Sequence, residues 1–224
     1  MEEKKKTNPL IPILIIVVLL LGLLVAKLWA DKNKAEHLVT EYKNSYDQLI
    51  IEKEKAEQSA EEENIKAQQQ ADAYQTSYNN LVLTMLNSAA TTENAGNLII
   101  SVWHNAIWNV DDEETDKFTK KNGSFVSDFN DALHNLFYDE EFSKTTNALS
   151  LEQSKVKSEM KGMLNPPDGF DNAFRALENL YNSYIKFTDV VLNCSGSLES
   201  FSNDFSAADT DILQQYHAAE LYVK

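Results

Sequence analysis

The chain has 224 residues, a formal net charge of −15 and apolar residues over 43% of its length. That charge excludes a nucleic-acid partner, because neutralising phosphates needs a basic face, while only 6 Gly and 4 Pro argue against a turn-rich all-β fold. The lone cysteine, Cys194, rules out an intrachain disulfide or a thiolate metal cluster and reads as a small buried residue at a helix end.

A short tail, 1–9, precedes the strongest signal in the chain. "LIPILIIVVLLLGLLVA", Leu10 to Ala26, carries no charge, and with Leu28 and Trp29 it reaches about 20 residues, the length that crosses a bilayer. Pro9 and Pro12 sit where a helix start tolerates them. Lys27 snorkels to the headgroups and Trp29 suits the membrane interface. The segment 10–29 therefore reads as a transmembrane helix against the lipid bilayer. The nearest cleavage site, "LWA" at 28–30, has Leu at the −3 position, which favours an uncleaved signal-anchor. Lys4, Lys5 and Lys6 before the span nearly balance Lys27, Lys32 and Lys34 after it. The tiny tail then favours a cytoplasmic N-terminus, with the carboxyl part extracytoplasmic at the cell membrane.

Residues 30–80 hold no Gly or Pro and are rich in the helix formers Ala, Glu, Gln and Lys. Heptad steps from Ala35 pass through Leu38, Tyr42, Ser45, Leu49, Glu52, Ala56, Ser59 and Glu63, apolar at first and polar later. This predicts a polar, coiled-coil-like stalk helix, about 75 Å for 50 residues at 1.5 Å each, with a short self-associating zone at 35–56. The alternative for "AEQSAEEENIKAQQQADA" is a partly disordered linker. The tyrosine pairs Tyr42/Tyr46 and Tyr74/Tyr78 lie i,i+4 in this stalk, where no core exists to bury them, and mark a candidate surface for self-association or a protein partner.

From residue 81 to 224 the apolar pattern strengthens into an antiparallel bundle of four or five helices. Leu81, Met85, Ser88, Thr92, Ile99, Trp103, Ile107 and Val110 form the inward stripe of the first. A second opens at "GSFVSDFNDALHNLF", with Ser124 as N-cap and Phe125, Phe129, Ala132, Leu133 and Leu136 inward. A third spans 141–164, with Phe142, Leu149, Val156, Met160 and Met163 inward, until "NPPDG" breaks it. A fourth carries Phe170, Phe174, Leu177, Tyr181, Tyr184, Phe187 and Val191. After "NCSGS" the last carries Phe205, Ile212, Tyr216, Ala219 and Val223. No segment alternates with the two-residue period of a strand. The fold class is all-α.

"LNPPDGFDNAFRALENLYNSY" and "SGSLESFSNDF" resemble a pattern in uncharacterised single-pass membrane-anchored helical proteins of low-GC Gram-positive bacteria. The resemblance spans roughly 160–222 and rests on helix-boundary signals. It implies the helical topology and a place in the bacterial cell envelope, and no catalytic residue. Nineteen Lys against one Arg, Arg175, point the same way, to an AT-rich coding sequence.

The densest chemistry is "SVWHNAIWNVDDEETD", 101–116. Trp103 shares the side of Ile99 and Met85 and reads as core. His104 and Trp108, four apart, read as an edge pair, with Trp108 the first candidate partner contact, and the carboxylates from Asp111 to Asp116 as a solvated acidic exit. "DDEETDKFTKKNG" lacks the Gly and terminal Glu of a calcium loop. The four histidines, His37, His104, His134 and His217, form no HExxH pair. The di-iron signature Glu-x-x-His is met only loosely and once, by Asp131–His134, and His134 lies about 180° from Phe125, on the solvent side. There is no GxSxG and no phosphate-cradling Gly pattern. The Asn122 and Asn193 triplets matter only in a eukaryotic secretory setting. The expectation is a protein that is not an enzyme and needs no metal or cofactor, and that positions its bundle for protein–protein interaction or envelope scaffolding. The alternative is a ligand-sensing bundle working with a separate transmembrane partner, since only about nine residues precede the span.

Overall fold

A computed structural model describes residues 10–224, with side-chain burial from Ile13 onward. The tail 1–9, with its three lysines and Pro9, lies outside the described residues. The described chain is all-helical, with one minimal hairpin. In order it contains α1 (Leu10–Trp108), α2 (Asp116–Thr119), β1 (Lys120–Lys121), β2 (Ser124–Phe125), α3 (Phe129–Phe137), α4 (Glu140–Gly162), α5 (Asp171–Leu192) and α6 (Leu198–Glu220). The chain divides into two units, Met1–Ile65 and Lys66–Lys224, and α1 contributes to both.

In the first unit every side chain from Ile13 onward is exposed. By length and composition α1 is apolar enough there to cross a membrane. Beyond Lys27 its surface is laced by Lys32–Glu36 and Lys53–Glu57, each at 3.6 Å. Both place Lys before Glu, the weaker order on a helix, so these pairs add little. The segment holds its helix by propensity, since no core supports it.

In the second unit the buried face of α1 begins at Tyr74, ahead of Leu81. Two tyrosines read above as exposed stalk residues are core residues, and the reason is tertiary. Tyr74 donates its hydroxyl to the Met163 carbonyl (3.2 Å), and Tyr78 to that of Ala219 (2.7 Å), so each closes a carbonyl at a helix C-terminus. Gln75 and Asn79 donate to the carbonyls of Tyr222 and Lys224, at 2.9 and 3.0 Å. The face of α1 that looks polar by composition grips the chain's last residues.

Paired contacts fix the helix directions. Tyr78 meets Ala219 while Trp103 meets Phe201 (6.1 Å), so α1 and α6 run in opposite senses. Tyr74 meets Phe170 (5.0 Å) while Ser88 meets Tyr184 (3.0 Å), so α1 and α5 run in the same sense. Ser183 meets Asp211 (2.7 Å) while Phe187 meets Phe205 (5.3 Å), which opposes α5 to α6. Tyr78, Met85, Ile99, Leu149, Val156, Leu177, Tyr184, Phe187, Phe205 and Ile212 are among the buried side chains that fill the centre. Gly96 lets α6 close on α1: a Cβ there would strike the Phe205 ring, with Cδ2 2.7 Å away.

Several boundaries differ from those read in the sequence. Residue 124 caps no helix. Asn122 (φ 54°) and Gly123 (φ 80°) form a two-residue turn joining β1 to β2, with Lys120 opposite Phe125. Two positive φ angles are what an Asn-Gly hairpin turn requires. The helix starts at Phe129 instead, where the Asp128 side chain accepts from the Asn130 N–H (2.8 Å). Phe125 is accordingly half-buried, and Phe129 is partly exposed although it stacks on Trp103 at 5.8 Å. Ile107, Val110 and Val223, expected inward, are exposed because the helices that carry the neighbouring stripe end there. Asp139 caps α4 and Ser197 with Ser200 forms a capping box on α6.

Candidate functional site

The stretch that looked most chemical is the C-terminal end of α1 and its connector. Asn109 at φ 54° stops the helix, and the Val110 N–H reaches the Asn105 carbonyl (3.1 Å), the six-to-one bond of a Schellman ending. Asn105 is buried. Its carboxamide donates to the Asp112 carboxylate (3.1 Å) and to Thr115 Oγ1 (2.9 Å), and its oxygen meets His104 Nδ1 at 3.0 Å. Asp112 in turn accepts the Glu114 N–H, and its own N–H donates to Asp116, both at 3.1 Å. Lys120 pairs with Asp111 and with Asp116, the latter at 2.8 Å. The expected solvated exit is therefore a folded connector, in which Asp112 and Asp116 are half-buried while Asp111, Glu113 and Glu114 stay exposed. The Lys120 hydrogen bond, with the backbone of Asp112, lowers the Asp116 carboxyl, and the bonds to Asp111 and Asp116 raise the Lys120 ammonium.

The edge pair is as the sequence places it. The His104 and Trp108 rings lie 4.5 Å apart, tilted by 31°, and Trp108 is 58% exposed. Tyr42 and Tyr46 are 75% and 65% exposed in the other unit, whereas Tyr74 and Tyr78 are 8% and 0% exposed and offer no surface. Desolvation raises the hydroxyl of Tyr74 to about 12 and that of Tyr78 further. Lys27 and Trp29 stand exposed where the apolar run of α1 ends. Cys194 is half-buried just past α5, and burial raises its thiol to about 11.

A cleft of about 660 Å³, which the sequence did not reveal, opens between α1, the connector and the start of α4. One wall is a single stripe of α1, Thr91, Asn94, Leu98 and Ser101, at three- and four-residue steps, with Asn97 beside it. The facing wall carries Glu114, Lys117, Glu141 and Thr145, and the buried Ala95, Phe118 and Phe142 lie beneath. Asp139 spans the rim. One of its oxygens accepts the N–H groups of Glu141 and Phe142, both at 3.2 Å, and the other accepts from Lys117 at 3.3 Å. The Phe142 N–H is the largest influence holding the Asp139 carboxyl below its ordinary value. Polar residues at helical spacing were the available signal, but a solvated face gives the same pattern.

No protein-family model, curated protein or solved structure matches this chain.

Proposed function

We propose that the chain is a non-enzymatic single-pass membrane protein that carries an extracytoplasmic helical bundle on a stalk and works by binding. In this reading α1, α4, α5 and α6 are the four bundle helices, α3 closes one end, and the exposed apolar residues around Tyr42 and Tyr46 take up a second copy or an envelope protein. The single observation behind it is that one uninterrupted helix, α1, holds both the exposed apolar run and the buried face of the core. An anchor joined to a folded unit without a break suits positioning, and a bilayer removes from water the side chains that the protein itself leaves uncovered.

Two measurements test it. A Lys121→Cys variant in intact cells is expected to react with a membrane-impermeant maleimide; reaction only after lysis would reverse the orientation. Crosslinking in the membrane through a photoreactive residue at position 42 is expected to capture one discrete species, either a dimer or a defined partner. An uncrosslinked monomer as the sole product would remove the interaction role from the stalk.

The cleft favours a second reading, a ligand-sensing bundle coupled to a separate transmembrane partner. Its volume lies within the range of small-molecule sites. Saturable stabilisation of the folded chain by one compound from a metabolite panel is expected under this reading.

A further inference from the structure

The charges around the cleft discriminate between ligands. An anion finds no free positive charge: Lys117, the one basic residue lining the cleft among the described residues, is held by Asp139, and the same carboxylate closes the N–H groups of Glu141 and Phe142 at the start of α4. Glu114 and Glu141 line the cleft without a basic partner among the described residues. Their field, close to a low-dielectric floor, favours a cation. Asn94 and Asn97 each offer both a donor and an acceptor, and Ser101 adds a hydroxyl that does either. Such groups recognise hydroxyls, which also donate and accept. A purely apolar ligand would leave these carboxamides desolvated and unpaired, which opposes its binding.

We propose that this cleft binds a polyhydroxylated amine of the amino-sugar class, its ammonium group on Glu114 and Glu141 and its hydroxyls on Asn94, Asn97 and Ser101. The carbon face of the sugar ring lies on Leu98 and over Phe118 and Phe142. The proposal rests on the ligand-sensing reading and gives that site a ligand class.

The test uses the full chain in detergent micelles at about pH 6, with a trimer of glucosamine as probe and both calorimetry and amide hydrogen exchange as readouts. Saturable one-to-one binding is expected, with slower exchange confined to residues 91–101 and 114–118 and the first turns of α4. The fully acetylated trimer, which keeps the hydroxyls and loses the charge, is expected to bind at least about tenfold more weakly, as is spermidine, which keeps the charge and lacks hydroxyls. The exposed double change Glu114→Gln with Glu141→Gln should weaken the glucosamine trimer by a similar factor and leave the acetylated trimer unchanged. Equal binding of the acetylated trimer or of spermidine would overturn the proposal, and so would protection elsewhere. A neutral or anionic compound that protects these same segments at a lower concentration than the glucosamine trimer would overturn the ligand class while sparing ligand sensing. A panel in which no compound protects them would overturn both.

Discussion

Tyr42 and Tyr46 stand on the same helix as Tyr74 and Tyr78, at the same i,i+4 spacing, each pair followed by a short apolar run, Leu49–Ile51 and Leu81–Leu83. One pair is open to its surroundings and the other is sealed in a core. Local sequence and helix propensity do not separate them. What does is a partner far along the chain: Tyr78 bonds a carbonyl 141 positions away, and Tyr74 one 89 positions away. The lesson is that a helix with polar composition becomes a core helix wherever other helices end against it and leave carbonyls to satisfy.

The strongest way to break this comparison is to truncate one member of each pair. Tyr78→Ala is expected to cost about 3–5 kcal/mol, as for other fully buried aromatic side chains. Urea unfolding of the detergent-solubilised chain, followed by near-UV circular dichroism, measures it. Tyr78→Phe removes only the hydroxyl. The Ala219 carbonyl retains the Tyr222 N–H at 3.1 Å, so the loss falls to roughly 0.5–1.5 kcal/mol. If Tyr78→Ala unfolded the chain no more easily than Tyr42→Ala, the two tyrosine pairs would be equivalent and the assigned core would be wrong.

Glycine gives the second contrast. A Cβ on Gly22 would meet nothing within 4 Å, while one on Gly96 would meet the Phe205 ring. In an unhindered helix Gly→Ala stabilises by about 0.5–1 kcal/mol. At Gly96 overpacking of a ring wedged between Phe187 and Phe201 reverses the sign, to a loss of about 1–3 kcal/mol. A fall in Tm for Gly96→Ala that Phe205→Leu relieves would establish the close approach, and a rise would contradict it.

The apolar start of α1 was legible in the sequence because seventeen uncharged residues in a row read as a helix long enough to cross a membrane. So were α4, α5 and α6, whose apolar stripes recur at helical steps and whose breaks at "NPPDG" and "NCSGS" carry Pro or Gly. The connector was not. "NG" at 122–123 is a hairpin signal, but only two residues pair on each side, too few for an alternating pattern to emerge. Asn105 carries no signal of its own in the sequence, since its role depends on Asp112 and Thr115 folding back over it. The cleft was invisible for a related reason: Thr91, Asn94 and Ser101 face Glu114 and Glu141 only after the connector and α4 are placed.

The connector also predicts how the packed unit responds to acid. The Asp116 and Asp139 carboxyls are both held below their ordinary 3.8. A depressed folded value means that the unfolded chain binds the proton first, so their stabilisation is present above about pH 4 and is lost as pH falls through the folded values. Lys120 has the opposite sign. Its raised ammonium stabilises the fold below its ordinary 10.5 and ceases to do so as pH rises through the folded value. Asp139→Asn is expected to flatten the acid limb of a stability–pH curve. An unchanged limb would show that the Asp139 hydrogen bonds do not persist in solution.

Trp108 lies between the extremes. Half of its surface is open and one face covers His104, so Trp108→Ala should cost about 0.5–1.5 kcal/mol, the worth of an exposed aromatic pair. A smaller loss, together with weaker partner capture in the crosslinking assay, would assign the ring to recognition. A loss of several kcal/mol would assign it to the core.

The smallest expected effect on stability belongs to the other tyrosine pair, and it is the most informative about function. Replacing both Tyr42 and Tyr46 with Ser should move the unfolding midpoint by no more than about 0.5 kcal/mol, because neither ring touches a core. If these rings are the seam between two copies, the double variant should instead lose the crosslink. A Leu49→Cys reporter, with Cys194 replaced by Ser, would form an intermolecular disulfide in the parent and little in the variant. In the proposed single-pass arrangement, parallel anchoring in one membrane would bring position 49 of each copy to the same level, which the disulfide requires. Equal disulfide yield in both proteins would mean that the tyrosines are exposed without purpose at this seam, and Val39, Ile50 and Ile51 would become the next residues to replace.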